Sequence, residues 1–217
     1  MPPRAVVFDL DYTLAVTARD RQTLLDEATD RVGVRSIDRD EYLDTHDATD
    51  ADETRAPIFA RLLDDPDADP EAMATAYREA IADALEPIDG AEDLLRSLRE
   101  EYRLGLLTDG PELAQATKID DLGWRDLFDA VVITGTMPAG KPDPRTFERV
   151  CADLDVDPGD AVYVGDRPDK DVAGAIAVGM RAIQVTFPDG PEVSPDAVAV
   201  LSRDELVERL PGLLADL

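Results

Sequence analysis

The chain has 217 residues, with 49 Asp and Glu against 22 Lys and Arg, and its formal net charge is −27. This length suits one domain, or one domain carrying an insertion, and a hydrophobic content of 44% is enough for a folded core. So negative a chain is repelled by nucleic acid and by anionic membrane surfaces, and we expect neither as a partner.

The acidic residues are mostly Asp, 35 of the 49, whereas Lys occurs only at Lys118, Lys141 and Lys170. An acidic, lysine-poor composition is typical of halophilic proteins, because high salt screens the self-repulsion. The single Cys151 excludes an internal disulfide and fits a reducing cytoplasm, and its helical spacing predicts core packing. No apolar run reaches transmembrane length and the first residues do not resemble a signal peptide, so we expect a cytoplasmic protein.

Short apolar runs alternate with helical patterns along most of the chain, which predicts an α/β fold: a Rossmann-like three-layer core with helices on both faces of a parallel sheet. The predicted strands are Ala5–Phe8, Arg103–Thr108, Ala130–Thr134, Ala161–Val164, Ala182–Val185 and, more weakly, Ala197–Leu201.

One stretch interrupts this alternation. From about Ala15 to about Pro87 only helical patterns occur, the strongest placing Met73, Tyr77 and Ile81 on one face. We therefore predict an inserted all-helical domain over residues 15–87 and a core formed by residues 1–14 and 88–217.

Polar residues follow four of the predicted strands. Asp9 and Asp11 follow the first strand, in contrast to seven other D-x-D patterns in the chain, which do not follow an apolar strand. Two adjacent carboxylates at the carboxyl end of a parallel sheet require a cation or a proton, although the pair could simply end a strand. Thr108, Asp109 and Gly110 follow the next strand and suit a phosphate oxygen, with a turn and helix cap as the alternative.

Lys141 lies between Gly140 and Pro142 in a chain that otherwise uses Arg for positive charge. Its compact ammonium group suits a position between carboxylates and a phosphoryl oxygen, whereas Lys118 and Lys170 are interpreted as surface lysines.

The fourth group begins with Asp166, which follows the strand at Ala161–Val164 and is a candidate Mg²⁺ ligand. The alternative is that these acids lie at the N-terminus of a helix and interact favourably with the helix dipole. This alternative fits Asp169 better.

These residues, in the order Asp9 with Asp11, Thr108, Lys141, and Asp166 with Asp171, resemble the four motifs of the haloacid dehalogenase superfamily. The resemblance covers the whole predicted core, and the helical insertion lies where that superfamily has its cap. It implies that Asp9 is the nucleophile, that Asp11 exchanges protons with the leaving group and water, and that Lys141 stabilises charge.

The resemblance further implies phosphate binding by Thr108, Asp109, Gly110 and Lys141. It implies Mg²⁺ bound by Asp9, the backbone carbonyl of Asp11, and Asp166, with Asp171 orienting Lys141 or metal-bound waters. Asp109 replaces an Asn that is common in relatives, and we expect its backbone N–H to matter more than its side chain.

The resemblance favours a phosphatase, because the dehalogenases of the superfamily carry Tyr where this chain has Asp11. The expected activity is Mg²⁺-dependent hydrolysis of a small phosphorylated metabolite, with phosphoglycolate phosphatase as the first guess. Two alternatives stay open: a phosphomutase of the β-phosphoglucomutase type and a non-catalytic regulatory protein. The sequence does not give the substrate or the oligomeric state. Four residues of the predicted cap could face the site: Arg19, Arg21, His46 and Arg55. For His46 the simpler interpretation is a surface side chain.

Overall fold

Six parallel strands form the main sheet of the computed structural model, which describes residues 2–49 and 51–217, without the side chain of Asp47. Met1, the predicted start of the core, and Asp50, in one of the D-x-D patterns, lie outside the described residues. The strands are β1 Ala5–Phe8, β2 Ala15–Thr17, β3 Leu85–Pro87, β4 Arg103–Thr108, β5 Ala130–Ile133, β6 Ala161–Gly165, β7 Arg181–Thr186 and β8 Ala199–Ser202.

The main sheet has the order β5-β4-β1-β6-β7-β8 and confirms the predicted parallel α/β core. Strand β1 lies in the middle, and Phe8 at its end is level with Leu106 of β4 and Val164 of β6. From β1 the chain runs to β4 and β5 on one side and then crosses to β6, β7 and β8 on the other, and ligands of open α/β sheets bind at such a reversal of strand order. The register therefore brings the residues after β1, β4 and β6 to one edge.

Helices cover both faces of the main sheet, as predicted. Their bounds, with those of the inserted helices, are α1 Arg21–Val32, α2 Arg39–Asp47, α3 Ala56–Leu62, α4 Pro70–Ala84, α5 Ala91–Leu98, α6 Glu112–Asp121, α7 Pro144–Asp153, α8 Ala173–Ala177 and α9 Arg203–Asp216. One face packs on Leu95 of α5 and Leu210 of α9, and the other packs on Phe147 and Cys151 of α7. The buried Cys151 confirms its predicted core position.

The inserted helices α1 to α4 enclose a hydrophobic cluster of their own, which includes Leu25, Phe59, Tyr77 and Ile81. Helix α4 packs along α1 and α3, and its buried face is the one that the spacing of Met73, Tyr77 and Ile81 predicts. We call residues 15–87 the cap, and its exact boundaries stay a prediction.

The expectation of no strand between Ala15 and Pro87 is wrong at both ends of the cap. Strands β2 and β3 pair there in antiparallel fashion, with Ala15 opposite Pro87 and Thr17 opposite Leu85. Each strand has three residues, and β3 is half-buried to exposed, so neither produces an apolar pattern in the sequence. Together they form the double connection between the cap and the core. Along the described chain, no helix is both long and apolar enough to cross a membrane.

Candidate active site

A cleft of about 1030 Å³ opens between the carboxyl edge of the main sheet and the cap. Asp9, Asp11, Thr108, Lys141 and Asp166 all line this cleft. The sequence predicts that these residues meet, because each follows or ends a predicted parallel strand, or lies in the loop after one. A turn with Tyr12 in the left-handed region (φ 64°) follows Asp11, and a bridge between Asp11 and Ala15 closes that turn.

Lys141 is the centre of a buried network. Its Nζ donates to Oδ1 of Asp9 and to Oδ1 of Asp171, each at 2.7 Å, and to the hydroxyl of Tyr163 at 3.0 Å. Burial acts to lower the pKa of Lys141, but the charges of Asp171 and Asp9 outweigh burial and raise the pKa well above its ordinary value. The ammonium group is therefore charged at neutral pH, and it links the first and last motifs.

The Lys141 loop is itself anchored by Asp109, whose Oδ1 accepts a hydrogen bond from the backbone N–H of Lys141 at 2.9 Å. The Asp109 side chain thus has a positioning role, in addition to the backbone role expected from the sequence. The neighbouring Gly110 has φ 135°, a conformation that L side chains rarely adopt, and its N–H donates to Oγ1 of Thr134 at 3.3 Å. These contacts fix the turn that follows β4.

Three buried carboxylates, of Asp9, Asp166 and Asp171, each offer an oxygen within 4.8 Å of the other two. Lys141 pairs with Asp9 and Asp171, whereas Asp166 has no ion-pair partner among the described residues. Burial, and then the charge of Asp171, raises the pKa of Asp166 to about 7. Burial likewise raises the pKa of Asp9, although the charge of Lys141 opposes the rise.

This excess of buried negative charge is suited to a divalent cation. Hard carboxylate oxygens in such a cluster are the ligands that Mg²⁺ prefers. Asp171 has less capacity for a metal, because its Oδ1 accepts from Lys141 and its Oδ2 from the backbone N–H of Arg167 at 2.9 Å. The donors therefore fit Mg²⁺ on Asp9 and Asp166, with Asp171 as the anchor of Lys141.

Asp11 lies on the cap side of Asp9 and makes different contacts. Both of its carboxylate oxygens accept from Nζ of Lys118, at 2.7 and 2.6 Å, and they also accept from Arg21 and Gln115, each at 3.0 Å. Burial acts to raise the pKa of Asp11, but the charges of Lys118 and Arg21 prevail and hold it well below its usual range. In this arrangement Asp11 is a carboxylate, the form that accepts a proton.

The interpretation of Lys118 as a surface lysine is wrong. The residue is 3% exposed, and it lies on the face of α6 that lines the cleft. Burial lowers the pKa of Lys118 to about 8, although the charge of Asp11 acts in the opposite direction. Gln115, one turn earlier on the same face, donates to Oγ1 of Thr108 and to the carbonyl of Asp109, both at 2.6 Å. The spacing of three residues on a helix following Thr108 is the signal in the sequence that could have identified both.

The cap contributes Arg21, Arg39, His46 and Arg55 to the cleft wall. Arg19, by contrast, points away to Glu27 and to the carbonyl of Ala80. His46 is half-buried and stacks on Tyr42 with ring centroids 6.0 Å apart, so it is not the simple surface side chain expected. Arg39 was missed, because the sequence has no feature that orients the first turn of α2.

Comparisons with known proteins agree with this geometry. Residues 6–185 match the family model of the haloacid dehalogenase-like hydrolases. A glyceraldehyde 3-phosphate phosphatase of Methanopyrus kandleri is 31% identical over 199 residues, which cover 84% of this chain and 83% of that protein. A phosphoserine phosphatase of Thermus thermophilus is 36% identical over 149 residues, covering 65% of this chain but only 59% of that enzyme's length.

Among solved structures, a HAD phosphatase from Thermococcus onnurineus superimposes with a TM-score of 0.70 at 27% identity, covering 96% of this chain and 98% of that one. The family match and the structural similarity confirm the resemblance that the order of the motifs carries, and the fold class that the alternation of strands and helices predicts. The chain therefore belongs to the haloacid dehalogenase-like hydrolases.

Proposed function

We propose that the protein is a Mg²⁺-dependent phosphatase that removes phosphate from a small phosphorylated metabolite through an aspartyl-phosphate on Asp9. The observation that carries this proposal is the buried ion pair of Asp9 with Lys141, set beside a second buried acid, Asp166. A carboxylate is a weak nucleophile, so its position and the neutralisation of charge around it must supply most of the rate.

The first step forms a bond between an oxygen of Asp9 and phosphorus and breaks the bond from phosphorus to the leaving oxygen. Asp11 then supplies the proton that the leaving alkoxide needs. Because Lys118 and Arg21 hold Asp11 as a carboxylate, Asp11 must first take up that proton from solvent, and we expect substrate entry to separate Asp11 from Lys118 and Arg21 and so to allow this uptake.

In the second step, a water molecule transfers a proton to Asp11 and the water oxygen attacks phosphorus. The bond from phosphorus to Asp9 breaks, which releases phosphate and restores the Asp9 carboxylate. Thr108 and the backbone N–H of Asp109 would hold the phosphoryl oxygens, and Lys141 would balance their charge. The N–H of Gly110 would join them only by giving up or sharing its hydrogen bond to Oγ1 of Thr134. Asp9, the carbonyl of Asp11, and Asp166 would hold Mg²⁺, which neutralises charge on the transferring group.

The relatives named above are a phosphoserine phosphatase and a glyceraldehyde 3-phosphate phosphatase, and both names describe hydrolysis of small phosphate monoesters. This supports a substrate of that size for the present chain. The phosphoglycolate type expected from the sequence stays a prediction.

The test is phosphate release from p-nitrophenyl phosphate and from a panel of metabolite monoesters, with Mg²⁺ and with EDTA, at low and high salt. We expect Asp9→Asn to abolish release, and EDTA to abolish it in the native chain. Asp67→Asn is the matched control, since Asp67 belongs to an exposed D-x-D pattern of the cap, and it should leave the rate unchanged. Unchanged hydrolysis by Asp9→Asn would contradict the proposal, and a sugar-phosphate isomer formed without free phosphate would indicate a phosphomutase instead.

A further inference from the structure

Two arginines of the cleft wall have no acidic partner among the described residues, in a chain where acids outnumber bases by more than two to one. Most of the other arginines pair with a carboxylate, as Arg35 does with Glu41. Arg39 and Arg55 do not, although both belong to the cap and both line the cleft. Positive charges that line the cleft with no acidic partner within the described part of so acidic a chain require an explanation.

Two buried tyrosines hold these arginines in place. The guanidinium carbon of Arg39 lies 5.1 Å from the ring centroid of Tyr42, and its Nη1 lies 3.4 Å from the hydroxyl of Tyr77. The guanidinium carbon of Arg55 lies 5.6 Å from the ring centroid of Tyr77, and its buried Nε has no hydrogen-bond partner among the described residues. Stacking occupies the flat face of a guanidinium and leaves its N–H edge available for an anion.

The tyrosines also bring the two arginines to the same part of the wall. Tyr42 and Tyr77 are 3% and 1% exposed, and their rings meet edge to face with centroids 5.5 Å apart. One guanidinium group stacks on each ring. The side chains are therefore ordered before any ligand arrives, which lowers the entropic cost of binding.

This wall continues toward the reacting end of the cleft. Arg55 is close enough to Lys118 for its charge to contribute to the lowered pKa of that lysine, and Lys118 contacts Asp11 directly. A phosphate ester with its phosphorus at Asp9 would extend its leaving group past Asp11 toward Arg55. The cleft of about 1030 Å³ leaves room for a leaving group of metabolite size.

The other described acids that line the cleft do not neutralise this wall. Asp52, Asp109 and Asp189 line the cleft, but none of them forms an ion pair with Arg39 or Arg55 within 4.0 Å. The positive charge of the wall is therefore available to a ligand.

We propose that Arg39 and Arg55 form a subsite for a second anionic group, a carboxylate or a phosphate, on the leaving group of the substrate. The inference rests on the proposed phosphatase function and narrows its substrate class to phosphate monoesters that carry another negative charge. The planar fork of a guanidinium matches the two oxygens of either anion, so the shared chemistry is bidentate hydrogen bonding to a charged oxygen pair.

Paired substrates test this subsite in the native chain. The pair 3-phosphoglycerate and glycerol 3-phosphate differs by a carboxylate, and the pair fructose 1,6-bisphosphate and fructose 6-phosphate differs by a phosphate. We expect kcat/KM to be higher for the member that carries the second anionic group, in at least one pair, by about tenfold to a hundredfold, which is the contribution of hydrogen bonds to a charged group. The pair that shows the preference identifies the anion.

Variants then assign the preference to these side chains. Arg39→Met and Arg55→Met should each reduce the preference by about tenfold, mainly through KM, and Arg39→Lys and Arg55→Lys should reduce it less. Arg61→Met is the matched control, since Arg61 is an exposed cap arginine that does not line the cleft. It should leave both the preference and the rate with p-nitrophenyl phosphate unchanged.

The two proposals fail in distinguishable ways. If the native chain hydrolyses p-nitrophenyl phosphate in an Asp9-dependent manner but shows no preference in either pair, the subsite is wrong and the phosphatase stands. The same holds if the Arg39 and Arg55 variants lose activity on both members of a pair equally, which leaves the ratio unchanged. If no ester is hydrolysed at all, the phosphatase proposal fails and the subsite fails with it.

Discussion

Removing the charge of Asp166 should change how the stability of the metal-free protein depends on pH. The carboxyl group is buried among other acids, and its pKa is about 7 in the folded protein against 3.8 for a free side chain. Because the folded pKa is the higher one, the folded state holds a proton that the unfolded state has lost. The resulting stabilisation is fully present below about pH 4 and is lost as the pH rises through about 7.

The magnitude follows from the size of this pKa difference. One bound proton changes the unfolding free energy by about 1.4 kcal/mol for each pH unit between the two pKa values. Between about pH 5 and about pH 8, ionisation of Asp166 alone should therefore lower the unfolding free energy of the metal-free protein by roughly 2–3 kcal/mol. Asp9, whose pKa is also raised, acts in the same direction.

The assay is urea unfolding in EDTA at these two pH values, at constant high salt. The side chain of the Asp166→Asn variant is neutral at every pH, so the advantage of the variant in unfolding free energy over the native chain should grow by roughly 2–3 kcal/mol between pH 5 and pH 8. Added Mg²⁺ should restore the unfolding free energy that the native chain loses at pH 8. It should stabilise the variant much less, because the variant lacks one metal ligand.

The control variant is Asp160→Asn, because Asp160 directly precedes β6, whereas Asp166 directly follows the opposite end of that strand. It should retain the full pH dependence. An equal loss of stability between pH 5 and pH 8 in the native chain and in Asp166→Asn would refute the reasoning, since the buried acid would then carry no proton.

Three further predictions concern Lys118, the buried Gly174 and the exposed Gly212. Lys118→Met should raise the pKa of Asp11, because the charge of Lys118 stabilises its carboxylate form, so hydrolysis of alkyl phosphates should persist to higher pH than in the native chain. The pH profile for p-nitrophenyl phosphate should move much less, because only the alkoxide needs the proton that Asp11 supplies, and an equal shift on both substrates would contradict a link to that proton. Gly174→Ala should destabilise the protein by about 1–3 kcal/mol in thermal unfolding, because the added Cβ would lie 2.3 Å from a ring carbon of Phe147. Gly212→Ala, which meets no atom within 4 Å in helix α9, should instead stabilise it by about 0.4–1 kcal/mol, and a loss there would show that the helix is strained.

The strands of the main sheet were predictable because they are buried on both faces. Ala5–Phe8 and Arg103–Thr108 were predicted to the residue, since such strands form continuous apolar runs. The edge strand β8 begins two residues later than predicted, and it is only partly buried. The short strands β2 and β3 were missed, because pairing between two remote three-residue segments leaves no local signal.

The core side of the candidate site was predictable for a related reason. Parallel strands end at one edge, so Asp9, Thr108 and Asp166 had to meet once the strands were identified. Lys141 could be included only through the resemblance and its rarity, because it lies in a loop. The cap side was not predictable, since the positions of Arg39 and Arg55 depend on how the inserted helices are oriented over the sheet, and helical spacing does not contain that information.

The scarcity of lysine in the sequence points to more than one residue of the candidate site. Lys118, Lys141 and Lys170 are the three lysines of the chain, and all three line the same cleft. Lys170 is the most exposed of them and lies 3.6 Å from Asp109. A surface adapted to salt has little use for lysine, so the lysines that remain are those for which a compact, flexible point charge is needed. The argument that singles out Lys141 in the sequence applies equally to Lys118, and in a chain of this composition each lysine should be treated as a candidate for the site until its burial and partners show otherwise.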